Sequence, residues 1–93
     1  MQTIEEAQKS ETLGFVEGMV VRSLRGHDKG LFYLVVRVDG NRVMVADGKY
    51  RSLEKPKAKN PVHIAATAQV FEIPKTDKKL RELLFQFNHK GNT

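Results

Sequence analysis

Residues 19–38 read MVVRSLRGHDKGLFYLVVRV. Two runs of β-branched and aromatic side chains flank a charged hexapeptide, RGHDKG, that carries a glycine at each end. Val, Ile, Tyr and Phe favour a pleated, half-buried surface, so 19–24 and 31–38 read as strands. Gly26 and Gly30 let the chain reverse sharply between them, because glycine lacks the Cβ that excludes positive φ. Asp28 can fix such a turn by accepting from nearby backbone N–H groups. Arg25 and Lys29 then sit at the rim of the strand pair, within reach of an anion.

Working outward, Asp39-Gly40-Asn41 is a hairpin turn and RVMVA (42–46) the return strand. Asp47-Gly48 marks a second tight turn leading into KYRSL (49–53). The stretch KPKAKNP (55–61) reads as extended and outside any regular ladder, since Pro56 and Pro61 remove donors. Residues 62–64 and 68–73 are candidates for a last strand. Alternation, with Arg37 set toward water, assigns Phe32, Leu34, Val36 and Val38 to the core and Tyr33 and Val35 to the outer face. Short, closely spaced strands predict a mainly β fold, a small five-stranded barrel over residues 14–73. Beyond Pro74 the period changes. Leu80, Leu83, Leu84 and Phe87 share one helical face, predicting an amphipathic helix over 76–90, capped by Thr76 or Asp77 and ended by Gly91. Phe85 falls off that face, as a solvated side chain or a partner contact. Residues 1–13 read as a flexible acidic tail in which Thr3 and Glu6 match a capping box.

The 93-residue chain has no cysteine and no tryptophan, which excludes a disulfide framework and cysteine-ligated zinc. Formal net charge is +5. Residues 1–17 hold four glutamates against one lysine, so the remainder is far more basic than the total suggests. Such asymmetry points to a polyanionic partner or to plain solvation. The first residues resemble neither a secretory signal nor a transit peptide, and the longest apolar run, LFYLVV, is too short to span a bilayer. A cytoplasmic monomer is the expectation. Enzyme chemistry is not expected: His27, His63 and His89 are dispersed, the His27–Asp28 pair lacks a third member, and the 25–30 loop lacks the GK[ST] of a P-loop. Neither a metal nor a cofactor is expected.

The basic stretch KYRSLEKPKAKNPVH (49–63) carries the candidate contacts. In an extended chain Lys55, Lys57 and Lys59 point the same way about 6.5–7 Å apart, close to phosphate spacing along a strand. Asn60 and His63 can hydrogen-bond a base edge or a 2′-OH. Arg51 can clamp a phosphate or stack on a base, while Tyr50 beside it is either core or a stacking platform. Together with Arg22, Arg25, Lys29 and Lys49 these residues form the expected RNA-binding set. Five neutralised phosphates would give a salt slope of roughly −3.5 to −4.5.

The stretch GMVVRSLRGHDKGLFYLVV (18–36) resembles the KOW motif, with Gly30 at the position of its defining glycine and Gly26 upstream. The continuation VMVADGKYRSLEKPKAKNPVH (43–63), with Asp47 and Gly48 in its ADG, is similar to large-subunit ribosomal proteins of the L-fourteen-e type and their small bacterial relatives. The resemblance covers roughly residues 14–64. It implies an SH3-like five-stranded barrel and non-catalytic binding of structured RNA, ribosomal RNA foremost, with ribosomal proteins as further partners. KOW and SH3-like modules also bind proteins, so a protein-interaction adaptor in transcription or translation stays open as the alternative.

Overall fold

The β-branched runs form strands where the pattern places them. In a computed structural model, which describes residues 14–90, the strands are β1 (Met19–Ser23), β2 (Phe32–Asp39), β3 (Arg42–Ala46), β4 (Lys57–Lys59) and β5 (Ile64–Val70). One helix follows, α1 (Asp77–Lys90). The strands make a single antiparallel sheet in the order β4-β3-β2-β1-β5. Among the described residues no ladder joins β4 to β5, so the sheet is not closed into a barrel. The acidic tail, its capping box and Gly91 lie outside the described residues.

The sheet is buried on both faces. One core holds Met19, Val21, Tyr33, Val35, Val43, Val45 and Ile64. The other holds Val20, Leu34 and Ala46 against Leu80 and Leu84 of α1. This corrects the assignment of Tyr33 and Val35 to the outer face: Tyr33 is only 2% exposed. The run LFYLVV does not alternate because neither face meets water. A register shift between Val35 and Arg37 then turns Val38 to the first core, away from the side of Leu34.

Two further expectations need correction. β4 forms inside KPKAKNP, pairing Val43 with Lys59 and Val45 with Lys57; the prolines stand just outside this three-residue ladder, where no donor is needed. KYRSL, after the Asp47-Gly48 turn, is mostly bends. The last strand begins at Ile64, after a 3-10 turn at Pro61–His63.

The helix is as the periodicity predicts. Leu80 and Leu84 are buried, with Leu83 and Phe87 packed beside them. Phe87 meets Phe32 at 5.7 Å and Phe71 at 6.2 Å between ring centroids. Thr76 is the cap: its Oγ1 accepts from Lys79 N at 3.1 Å. Asp77 turns instead to Leu53, whose N–H it accepts at 2.8 Å. Among the described residues no helix is long and apolar enough to cross a membrane.

Candidate nucleic-acid interface

The 25–30 loop closes on itself through the backbone. Gly30 N donates to Ser23 O at 2.7 Å, and Leu31 N donates to Asp28 O at 2.8 Å. Gly26 and Gly30 have φ of +89° and +90°, which a side chain rarely tolerates. The glycine reading of this loop therefore holds, and so does a structural part for Asp28, by a different route. Its carboxylate points into the fold and accepts from Tyr33 OH at 2.6 Å and Ser23 Oγ at 2.8 Å. Lys59 Nζ lies 3.1 Å and Lys57 Nζ 3.7 Å from the same carboxylate. Partial burial pushes the Asp28 carboxyl up, but hydrogen bonds from Tyr33, Ser23 and Lys59, with the Lys59 charge, hold it well below the usual carboxylate range. Burial, and then the bond to Asp28, push the Tyr33 phenol above its ordinary value.

The facing loop is built on Asp47. Its Oδ1 accepts from the backbone N–H of Lys49, Tyr50 and Arg51 at 3.0, 2.9 and 2.8 Å. Asp47 N and Gly48 N both donate back to Arg51 O. Gly48 has φ +81°, and a Cβ there would run into the backbone of Asp77 and Arg81. The helix therefore sits directly against this turn. Arg81 Nη1 donates to Gly48 O at 3.1 Å.

The same helix reaches the start of β2. Asn88 accepts from Phe32 N at 2.8 Å and donates to Phe32 O at 3.3 Å. α1 thus holds the 47–53 turn through Asp77 and Arg81 and the start of β2, just after the 25–30 loop, through Asn88.

Between the loops lies an open cleft of about 750 Å³. Arg25, His27 and Lys29 line it from one loop, Tyr50 and Arg51 from the other, and Lys57 from β4. Asp28, Tyr33 and Lys59 line it as well. Tyr50 is 69% exposed, and Lys49 Nζ stands 5.1 Å from its ring centroid. Arg25, Lys29 and Arg51 are exposed, and no carboxylate among the described residues lies within 4 Å of them.

The chain matches no protein-family model and no curated protein.

Of the expected contact residues, Arg25, Lys29, Arg51, Lys57 and Lys59 come together in this cleft. Their roles differ. Lys59 is only 7% exposed and is paired with Asp28 beneath the loop, so the even phosphate ladder of Lys55, Lys57 and Lys59 does not exist as a surface. Lys55 is exposed outside the cleft and Lys49 lines a second hollow. Asn60 Oδ1 accepts from Val62 N, capping the 3-10 turn. His63 O accepts from Leu24 N, and Arg22 is exposed on β1; none of these three lines the cleft. Sequence reasoning missed His27 as a lining residue, and Asn88 as the clamp on β2. The only available signal for Tyr50 was the basic run around it; its 69% exposure rules out a core position.

Proposed function

We propose that this protein is a non-catalytic RNA-binding protein that engages structured RNA through the cleft between the 25–30 and 47–53 loops. One observation carries the reading. Two segments more than twenty residues apart bring Arg25, Lys29 and Arg51, none of which has a carboxylate within 4 Å among the described residues, around an exposed Tyr50. Cations without partners attract phosphate, and an exposed aromatic ring offers a stacking face. The resemblance of residues 18–36 and 43–63 to KOW proteins supports the same reading and favours ribosomal RNA, in the cytoplasm, as the target.

The same reading takes the open sheet as an SH3-like barrel of KOW type whose seam lies between β4 and β5, the two strands that no ladder joins. Only four residues, Asn60 to His63, separate those edge strands, so the two edges adjoin at that corner. The hydrogen bond from Leu24 N to His63 O holds the corner to the end of β1.

Sedimentation of a lysate through a sucrose gradient, with and without RNase, tests the function. The expected result is co-migration with large ribosomal subunits that survives moderate salt and is lost with RNase. A position at the top of the gradient under all conditions overturns it. A second reading, a protein-interaction module, is favoured by Phe85, which is 58% exposed and stacks on His89 at 4.0 Å above a hollow shared with Lys49 and Arg81. Arg25→Gln with Arg51→Gln should remove an RNA activity and spare a contact made through Phe85, and Phe85→Ala should do the reverse.

A further inference from the structure

The cleft is concave and small, and this bears on which part of an RNA it receives. A duplex surface is broad, and its bases are stacked on one another. A hollow of about 750 Å³ falls within the range of small-molecule sites, roughly 300–1,000 Å³. The ring that borders it, Tyr50, stands on a turn whose backbone is pinned by three hydrogen bonds to Asp47. An aromatic platform on a fixed turn loses little freedom when a ring docks on it. Phosphate partners lie in the same hollow: Arg25 and Lys29 on one wall, Arg51 on the other. The deeper carboxylate of Asp28 is already answered by Lys59, Ser23 and Tyr33, so the floor does not repel an anion as a bare carboxylate would.

We infer that the cleft receives a single unpaired nucleotide of a folded RNA, its base stacked on Tyr50 and its phosphates held by Arg25, Lys29 and Arg51. The inference rests on the RNA-binding reading and narrows it from backbone and shape to a bulged or looped-out residue. Unpaired bases are the parts of an RNA that aromatic side chains can reach. Lys49 Nζ lies over one face of the Tyr50 ring, 5.1 Å from its centroid, so the base stacks on the opposite face.

Fluorescence anisotropy with two probes and one competitor tests it: an RNA hairpin with one bulged adenosine, the same hairpin without the bulge, and adenosine monophosphate as competitor. The bulged hairpin should bind at least tenfold more tightly than the flush one. Tyr50→Ala should weaken bulge binding by about 5- to 150-fold, weaken flush-hairpin binding by much less, so that the preference for the bulge collapses, and leave the circular dichroism spectrum unchanged; Tyr50→Phe should keep the preference. Equal binding of both hairpins, indifferent to Tyr50→Ala, overturns the inference and leaves RNA binding standing. No binding of any RNA removes both. Adenosine monophosphate competing as strongly as the bulged hairpin overturns the RNA-borne nucleotide in favour of a free one.

Discussion

The two walls of the cleft are each organised by one aspartate, and the two aspartates work differently. Asp28 gathers side chains: Tyr33 from β2, Ser23 from β1, and Lys57 and Lys59 from β4 all converge on its carboxylate. Asp47 gathers backbone: one oxygen holds three successive N–H groups of its own turn. The first joins three strands across the sheet. The second shapes a local loop that α1 then holds in place. A defect at Asp28 should therefore loosen the whole molecule, and a defect at Asp47 should loosen mainly the wall that carries Tyr50 and Arg51.

The largest expected effect tests the first half of that contrast. Asp28→Ala leaves the Lys59 ammonium buried without its partner, which should cost about 3–5 kcal/mol in chemical denaturation. Adding Lys59→Met should restore much of the loss, because a buried pair replaced by an apolar side chain is often neutral. Failure of the double variant to recover would mean that Ser23 and Tyr33, left without their acceptor, dominate.

The glycines sharpen the contrast. Gly30→Ala meets open space and suffers only from its positive φ, a cost of about 1–2 kcal/mol. Gly48→Ala adds a collision with the N-terminal turn of α1, so its melting temperature should fall further than that of Gly30→Ala. Equal melts would break the claim that the helix rests on the second turn.

Asp47→Ala removes three hydrogen-bond acceptances and should cost about 2 kcal/mol. RNA affinity should fall with it, whereas Asp47→Asn keeps an acceptor oxygen and should retain most of both.

The pH dependence should report on the Asp28 wall. A carboxyl whose folded-state value is depressed contributes stability above its unfolded value and loses it on acidification. For Asp28 that loss should begin near its ordinary value of 3.8 and continue downward. The Tyr33 phenol, raised in the folded state, contributes fully below its ordinary value of 10.0 and loses that contribution as the pH rises further. Asp28→Asn should flatten the acid limb of a denaturation series; an unchanged limb would place the acid sensitivity elsewhere. The smallest effect concerns charge. Arg51→Gln should reduce the slope of log affinity against log salt by about 0.7–0.9. The wild-type slope should lie near −2 to −3, shallower than a fully exposed basic stretch would give, because Lys59 is buried and Lys57 faces Asp28.

Much of the fold is local and could be read in the chain. β1, β2 and β3 follow from β-branched runs broken by glycine turns, and α1 follows from Leu80, Leu83, Leu84 and Phe87 at helical spacing. The 25–30 turn and its two positive-φ glycines follow from RGHDKG itself. The candidate site was legible as a list of cations on two segments, but not as a place.

Tertiary structure decided the rest, because each remaining question turns on neighbours distant in sequence. Whether Tyr33 and Val35 face water depends on what covers the sheet, and alternation cannot report a sheet covered on both sides. Whether Lys59 meets phosphate or Asp28 depends on β4 pairing with β3, which brings a lysine 31 residues away under the loop. Whether Tyr50 is core or platform depends on Asp47 winding 49–51 into a turn instead of a strand. By itself the sequence determined β1 to β3, the turns between them, the helix and the sign of the charge, since these arise from side chains a few residues apart. Which cations remain available to a ligand was settled only when long-range pairing placed a carboxylate beside some of them and left Arg25, Lys29 and Arg51 with none among the described residues.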